Sequence, residues 1–401
     1  MISLSKRASS HSNCIEEWFK KFPLPKTASE LPKVDLSAGD PSVRKLPFNS
    51  IELDSIKKKL LDAKTYYHDE AASTAAQEYV ANLYSSEGHK FKAEDVFLTQ
   101  GGEFALTYGM RLLCQPGENC IVPNPGYWHL GLAAPAYGAE CRTYGFKGRD
   151  WQIDFEELES KIDSKTKFIL VVSPGNPNCV WYDQKVLQRF LDIAEKHHLA
   201  ILSDEIYLGY YFDAKQRHVS ISQLKSNVPV VVMGGMAKAA CLPGYGMEWL
   251  AVKDTANRLP NLKPALRGAL AALGTNSAFL INLLPLMMDY QLEQCKARVE
   301  FIRQNYELVQ NLLKVVQGIE VFESNSSMFV TLRIKKGAFP EDLSSDHDFC
   351  KRLFQEENLK LGRGLFNGEV GLMRIGLVLT PEEYKEGIPR LLRFAKKYAK
   401  Q

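Results

Sequence analysis

The sequence predicts an α/β protein with a mostly parallel central sheet. Short runs of β-branched residues alternate with helical patterns through the middle of the chain, as in domains built from β–α–β units. Each run is also followed by a loop rich in Gly, Pro, Asn or Asp. The predicted strands cover residues 96–99, 119–122, 168–172, 200–203, 228–233 and 249–252. The helical patterns between them cover residues 103–114, 155–161 and 186–197.

The pattern changes in the C-terminal part of the chain. Apolar residues at helical spacing predict one long amphipathic helix over 291–316. Strands at 319–322, 328–334 and 373–378 and helices at 347–356 and 381–397 are predicted after it. Because 401 residues suffice for more than one domain, we expect a large domain over 49–290 and a smaller α+β domain over 291–401. The N-terminal segment 1–48 is expected to join the smaller domain.

Charge and hydropathy argue against two classes of partner. The net charge of +3 and the scattered Lys and Arg residues do not predict binding to nucleic acid or to an acidic membrane. The most apolar stretch, 269–288, is interrupted by Thr275, Asn276, Ser277, Asn282 and Pro285. We therefore expect a buried helical segment there rather than a membrane span.

The eight cysteines are scattered and form no C-x-x-C pair. This spacing favours reduced thiols over a zinc site or a disulfide framework, and so favours a cytoplasmic protein. The first 19 residues lack the apolar core of a secretory signal. A mitochondrial location stays open, because the first fifteen residues contain Lys6, Arg7 and several serines.

Five loops follow predicted strands and are expected to meet in space. In open α/β sheets the ligand lies in the crevice outside the carboxyl ends of the strands. The loops that should line this crevice cover residues 100–103, 124–127, 173–179, 204–207 and 234–238.

Lys238 is the candidate nucleophile in the last of these loops. Most lysines are solvated surface charges. Lys238, however, directly follows an apolar strand and has no charged neighbour in the sequence Gly-Gly-Met-Ala-Lys238. Such a setting favours a desolvated amine with a lowered pKa, which a Schiff-base lysine requires.

The other loops carry residues suited to a planar, anionic cofactor. Asp204 ends an apolar strand, and either caps a helix or pairs with a cation such as a protonated ring nitrogen. Gly101 and Gly102 open a helix, whose first N–H groups bind phosphate well. Tyr127 is either a core aromatic or a ring that stacks on a cofactor. The run from Ser173 to Asn178 has the composition of a tight turn.

Together these motifs resemble the class I pyridoxal-phosphate-dependent aminotransferases of fold type I. The resemblance runs from about Leu36 to the C-terminus and is greatest for the tyrosine aminotransferase branch. It depends on Gly-Gly-Met-Ala-Lys238 followed by Leu-Pro-Gly, on Asp95-Val-Phe-Leu-Thr, on Pro123-Asn-Pro-Gly-Tyr127 and on Thr380-Pro-Glu-Glu. It implies a large domain with a mostly parallel sheet, a smaller α+β domain, and pyridoxal 5′-phosphate as cofactor.

The resemblance also assigns a role to each matching residue. It implies that Lys238 binds the cofactor covalently and moves the substrate proton, and that Asp204 keeps the pyridine nitrogen protonated. Arg374, in Met-Arg374-Ile-Gly, matches the arginine that binds the substrate carboxylate, a task that suits a planar guanidinium. Tyr207 and Asn176 are implied to donate hydrogen bonds to the ring oxygen, and Tyr127 to stack on the ring. Gly101, Gly102 and Glu103 are implied to bind the phosphate, and Gly39 to form a wall of the substrate pocket beside Asn176. Tyr67 is implied to bind the phosphate in the neighbouring subunit of a homodimer.

The sequence departs from the family pattern around the phosphate. Gly246 stands where the family has a phosphate-binding arginine, and Glu103 places a carboxylate where a small polar residue is usual. Cys179, Ala239 and Ala72 are further departures. Loss of one charged hydrogen bond costs about 1.5–3 kcal/mol, or roughly tenfold to a hundredfold in affinity. We therefore predict weaker phosphate anchorage with the chemistry intact.

The resemblance predicts transamination from an aromatic amino acid, tyrosine first, to 2-oxoglutarate by a ping-pong mechanism. An alanine aminotransferase or a carbon–sulfur lyase on the same fold is an alternative. So is a catalytically impaired homologue, which the changes at Gly246 and Glu103 suggest. The sequence contains no group of residues that predicts a metal site.

Overall fold

The computed structural model describes residues 29–39, 70–213, 219–273, 276–364 and 369–400. Most of the predicted N-terminal segment 1–48 lies outside these residues, and so does Tyr67. Within them, no helix is both long enough and apolar enough to cross a membrane.

The strands follow one another along the chain as β1 (Val34–Asp35), β2 (Val96–Gln100), β3 (Asn119–Pro123), β4 (Glu140–Tyr144), β5 (Phe146–Lys147), β6 (Gln152–Ile153), β7 (Thr166–Val172), β8 (Ala200–Asp204), β9 (Val230–Gly235), β10 (Met247–Lys253), β11 (Ile319–Val321), β12 (Phe329–Ile334), β13 (Leu359–Lys360), β14 (Gly362–Arg363) and β15 (Leu372–Gly376). The helices are α1 (Glu70–Tyr84), α2 (Gly102–Leu113), α3 (Leu130–Ala136), α4 (Phe155–Ser160), α5 (Gln184–Lys196), α6 (Met236–Ala239), α7 (Leu262–Leu273), α8 (Ala278–Leu313), α9 (Asp346–Glu357) and α10 (Pro381–Tyr398).

A seven-stranded sheet forms the centre of the molecule, in the order β2-β10-β9-β8-β7-β3-β4. The strands from β9 to β4 pair in parallel, whereas β10 is antiparallel to both of its neighbours. Residues of β7 alternate between two hydrophobic cores, with Ile169 on one face and Leu170 on the other. Because both faces are covered, the strand is apolar throughout. This arrangement confirms the predicted fold class.

The edge strand β4 was not predicted, because its residues are mixed and only Tyr144 is buried. Its sequence therefore has neither the apolar run nor the alternation that marks a strand. The structure also extends the long C-terminal helix toward the N-terminus, since α8 begins at Ala278 rather than at 291. Pro285 lies within it.

Helix α8 connects two hydrophobic cores. Leu284 and Met288, in its first part, pack in the core of the large sheet, and Ile302 and Val309, further along, pack in a second core. The domain boundary that the sequence predicts at residue 290 therefore falls inside a continuous helix. Helical periodicity alone does not show where a helix exchanges one packing partner for another.

The second core covers a four-stranded antiparallel sheet in the order β11-β12-β15-β14. Helices α9 and α10 contribute Phe349, Leu353, Ile388 and Leu391 to this core. Leu36, from the N-terminal stretch 29–39, is buried in it as well.

A close backbone approach holds the N-terminal stretch against the second sheet. The N–H of Gly376, at the end of β15, donates a hydrogen bond to the carbonyl of Leu36 at 2.8 Å. A Cβ atom at Gly376 would lie 1.6 Å from the carbonyl oxygen of Ala38. Only glycine therefore fits there without displacing the stretch that ends at Gly39.

We predict that Gly376→Ala lowers the free energy of unfolding by about 1–3 kcal/mol, because the methyl group overlaps the Ala38 carbonyl. Gly268→Ala is the matched control, since Gly268 lies on the exposed side of α7 with no atom within 4 Å of an added Cβ. This control should stabilise the protein by about 0.4–1 kcal/mol. Denaturant unfolding measures both changes, and equal effects of the two substitutions would contradict the packing argument.

Candidate active site

The site lies at the edge of the large sheet where β7, β8 and β9 end. Strand pairing brings Val172 beside Asp204, and Asp204 beside Met233. The antiparallel strand β10 begins at this same edge, where Glu248 pairs with Gly235. The edge therefore collects residues that are far apart in the sequence.

Lys238 lies in α6, a single helical turn that directly follows β9. Its Nζ donates a hydrogen bond to the carbonyl oxygen of Gly39 at 3.3 Å. The turn is anchored through its carbonyls, which accept hydrogen bonds from Tyr210 (3.0 Å, to Lys238 O) and from Arg298 (2.9 Å, to Ala239 O). Lys238 thus has a fixed backbone and a side chain directed at the N-terminal stretch.

Asp204 is the last residue of β8, and its side chain is buried. Its carboxylate accepts a hydrogen bond from the N–H of Ile206 at 3.1 Å. Burial raises the pKa of Asp204 to about 7, the nearby Glu205 adds to this increase, and no cation of the described residues lowers it. A buried carboxylate in this state is suited to bind a cationic group of a ligand.

Arg374 extends from β15 of the second sheet to the loops of the large sheet. Its Nη1 donates a hydrogen bond to Oδ1 of Asn176 at 2.8 Å. The guanidinium carbon lies 4.2 Å from the ring centre of Phe329, and a Cβ at Gly39 would lie 2.3 Å from that same ring. Burial lowers the pKa of Arg374, and the groups that act in the opposite direction are Tyr207, Cys179 and Tyr127, with no carboxylate of the described residues among them. A substrate carboxylate would supply the missing charge.

Two tyrosines lie close to these groups. Tyr207 is buried close to Asp204, Arg374 and Tyr127, and burial raises the pKa of its phenol. The Tyr127 hydroxyl donates a hydrogen bond to Oε1 of Glu103 at 2.8 Å. Because burial raises the pKa of its phenol, Tyr207 is a neutral hydrogen-bond donor at neutral pH.

Gly101 precedes helix α2 with a φ of 89°, a left-handed conformation that favours glycine. Its N–H donates to the carbonyl of Gly246 at 3.0 Å. Gly246, the residue in place of the expected arginine, has a φ of 60°. The structure thus brings together the predicted site residues that it describes, whereas Tyr67 lies outside the described residues.

Glu248 is the site residue that sequence reasoning missed. It is 1% exposed, and its Oε2 has no hydrogen-bond partner among the described residues. Burial and the nearby Glu103 raise its pKa to about 7, while the N–H groups of Ala237 and Gly101 and the charge of Lys238 act in the opposite direction. The predicted crevice is lined by loops at the carboxyl ends of strands, whereas Glu248 lies near the amino end of an antiparallel strand. A charged residue within an apolar strand was the available signal.

This fold and this arrangement of lysine, aspartate and arginine define a pyridoxal-phosphate-dependent enzyme of fold type I. The sequence profile of the family "Aminotransferase class I and II" matches residues 32–391, and the chain belongs to this family. The chain is therefore a pyridoxal-phosphate-dependent aminotransferase, and the family implies pyridoxal 5′-phosphate as its cofactor.

Individual relatives point in the same direction. The chain is 29% identical to tyrosine aminotransferase of Mus musculus over 335 residues, which is 81% of this chain and 72% of the relative. It is 27% identical to tyrosine aminotransferase of Caenorhabditis elegans, with 90% and 78% covered. The crystal structure of tyrosine aminotransferase from Leishmania infantum superposes with a TM-score of 0.89 at 23% identity, covering 100% and 99% of the two chains, and thus shares the fold.

The ring of the cofactor fits this site and its phosphate does not. Asp204 offers a buried carboxylate to a protonated ring nitrogen, and Tyr207 offers a phenol to the ring oxygen. Lys238 follows β9, the strand that pairs with β8 at Asp204. The place expected for the phosphate instead contains two carboxylates. We call this place the acidic cup, and its residues are Gly101, Gly102, Glu103 and Glu248.

We predict that Asp204 makes the stability of the cofactor-free protein depend on pH. Its pKa is about 7 in the folded protein and ordinarily 3.8, so the folded state holds a proton that the unfolded chain releases. The free energy of unfolding should therefore fall as the pH rises from about 4 to about 7, by up to about 4 kcal/mol. Asp204→Asn should gain stability relative to wild type over this window.

Thermal unfolding of both proteins at about pH 5 and about pH 8 measures this difference. Asp192→Asn is the control, because Asp192 is exposed on α5. If the difference in Tm between Asp204→Asn and wild type is the same at both pH values, Asp204 does not titrate as described.

Proposed function

We propose that the chain transfers the amino group of an aromatic amino acid, tyrosine first, to 2-oxoglutarate in a ping-pong cycle. The observation that carries the proposal is the position of Arg374, which reaches the loops of the large sheet and hydrogen-bonds Asn176 without an acidic partner in the described chain. Both substrates present an α-carboxylate, so a single arginine serves both half-reactions. The named relatives support tyrosine as the donor.

The chain's own residues divide the work. The bound cofactor supplies an electron sink that stabilises negative charge at the substrate Cα. Lys238 would move the proton between the substrate Cα and C4′ of the cofactor, and Asp204 would keep the ring nitrogen protonated. Arg374 would orient the substrate through its carboxylate, and Tyr207 would donate a hydrogen bond to the ring oxygen. The rings of Phe329 and Tyr127 lie near Arg374, and Tyr127 is the one of the two that is not fully buried.

Product analysis tests the reaction. Tyrosine and 2-oxoglutarate should yield glutamate and the keto acid of tyrosine, and Lys238→Ala should reduce the rate by several orders of magnitude. Release of ammonia instead of glutamate formation would indicate a lyase. Alanine as the preferred donor would indicate an alanine aminotransferase on the same fold.

We predict that Arg374→Lys lowers kcat/KM for tyrosine and for 2-oxoglutarate by about tenfold to a hundredfold each. A lysine retains the charge but loses the paired hydrogen bonds to a carboxylate. Arg393→Lys is the matched control, since Arg393 is an exposed residue of α10 that pairs with Glu357, and it should leave both values unchanged. An effect on one substrate alone would contradict a shared carboxylate site.

We also propose that the chain acts as a cytoplasmic homodimer in which Tyr67 reaches the neighbouring site. The proposal is supported by the match of Tyr67 to the family's subunit-bridging tyrosine. Light scattering should give twice the monomer mass of 45.2 kDa. Tyr67→Phe should lower the activity of the dimer without changing this mass, and a monomer with full activity would overturn the proposal.

A further inference from the structure

The Glu248 side chain lies at the start of α2, where the family resemblance predicts the phosphate. It pairs in register with Thr99 of β2 and with Gly235 of β9, so it lies between the strands that precede the two glycine-containing loops. A Cβ at Gly101 would lie 3.9 Å from Oε2 of Glu248, and one at Gly102 would lie 4.0 Å from its Cγ. The side chain therefore lies directly against the start of α2.

Strand β9 leaves space for this side chain. A Cβ atom at Gly235 would lie 2.1 Å from Cγ of Glu248 and 2.9 Å from its Cβ. Because Gly235 has no side chain, Glu248 crosses over its backbone toward the loops. The buried position of Glu248 is thus supported by the residue that faces it across the strands.

One hydrogen-bond donor of the acidic cup, the N–H of Gly101, is already engaged. The start of a helix binds anions because its first N–H groups are unpaired and its dipole is positive there. Here the N–H of Gly101 donates to the carbonyl of Gly246, and the N–H groups of Gly101 and Ala237 stabilise the charged form of Glu248. The chain itself supplies the anion that the cup holds.

The charges of the cup also oppose a phosphate dianion. Glu103, at the second position of α2, is hydrogen-bonded to Tyr127 and raises the pKa of Glu248 by like-charge repulsion. Gly246 contributes no charge where an arginine was expected. Lys238 is the described cation that acts on Glu248, and this lysine is required at the ring.

One oxygen of Glu248 still needs a donor. Its Oε2 is buried without a hydrogen-bond partner among the described residues, and such an oxygen is costly unless a ligand supplies an N–H or O–H group. A phosphate dianion is an acceptor and cannot supply one. A neutral hydroxymethyl group can, and this is the group that the cofactor ring carries in place of the phosphate ester when it is not phosphorylated.

We propose that the acidic cup selects a small neutral hydrogen-bond donor over a phosphate, so that the chain binds the unphosphorylated cofactor ring at least as tightly as the phosphorylated one. Glu248 is the residue that determines this preference. The inference rests on the proposed function only in placing the ring beside Lys238 and Asp204.

Pyridoxamine and pyridoxamine 5′-phosphate are the probes of choice, because they differ only in the phosphate and neither carries an aldehyde that could react with Lys238. Equilibrium dialysis at about pH 8.5 compares them under conditions in which Glu248, with a pKa of about 7, is ionised. For the wild-type chain the Kd of pyridoxamine should lie below that of pyridoxamine 5′-phosphate or exceed it by no more than about threefold. Binding of pyridoxamine 5′-phosphate that is tighter by more than about threefold, or binding of neither probe, overturns the proposal.

Substitutions of Glu248 locate the effect. Glu248→Gly should tighten pyridoxamine 5′-phosphate by about tenfold or more and leave pyridoxamine within about threefold, since it removes the charge and opens the cup. Glu248→Gln, which keeps the shape and removes the charge, should fall between wild type and Glu248→Gly. Glu94→Gln removes the same charge from an exposed position before β2, at the opposite edge of the sheet, and should change neither Kd.

If Glu248→Gly changes the Kd of both probes by the same factor, or changes neither Kd, Glu248 does not determine the preference. Thermal unfolding verifies that the variants are folded, and the wild-type ratio decides the matter if they are not. The two proposals fail separately. If the chain transaminates tyrosine but binds pyridoxamine 5′-phosphate about tenfold more tightly than pyridoxamine, only the proposed selectivity of the acidic cup is refuted. If it binds the two probes equally but does not transaminate, only the proposed aromatic aminotransferase activity is refuted.

Discussion

The hydrogen bond between Arg374 and Asn176 is the interaction on which the site depends, because it joins the two sheets of the molecule. Arg374 lies in the middle of β15, and Asn176 belongs to a loop that follows β7. Arg374 and Asn176 belong to parts of the chain with different hydrophobic cores. The distance between the reacting groups therefore depends on how the two cores are placed relative to each other. The second bridge, from Lys238 to Gly39, makes the same connection through the N-terminal stretch. Glycine at position 376 is part of this design, since it allows that stretch to approach the sheet closely.

Two buried carboxylates give the site its electrostatic character, and they require opposite kinds of partner. Asp204 and Glu248 both have pKa values raised to about 7 by burial. At Asp204 a cationic ring nitrogen restores the charge balance, which agrees with a pyridine cofactor. At Glu248 a second anion would increase the imbalance. The strands that carry them are separated only by β9, so the site combines a ring pocket suited to the family cofactor with a cup that is not.

The sequence predicted the parts of this arrangement that are local. Each loop motif follows an apolar strand, and parallel strands bring their carboxyl ends to one edge, so the presence of Asp204, Tyr127 and Lys238 at one edge of the sheet could be inferred from the sequence. The contact of Arg374 with Asn176, 198 residues apart, depends on how two sheets pack against each other. No local pattern contains this information, and here resemblance to a family supplied the role. Tyr67 and most of the N-terminal segment remain predictions.

The sequence did not predict Glu248 as a site residue, because its role depends on the direction of its strand rather than on its residue type. In a parallel strand the second residue lies at the edge away from the ligand, and a glutamate there would be an ordinary surface charge. Strand β10 is antiparallel to both neighbours, which reverses this order and brings its second residue to the ligand. Direction is set by pairing with β2 and β9, which is a property of the whole sheet. The sequence shows directly that Gly246 lacks the positive charge of the expected arginine. That Glu248, two residues later, brings a negative charge to the start of α2 follows only from the antiparallel pairing of β10.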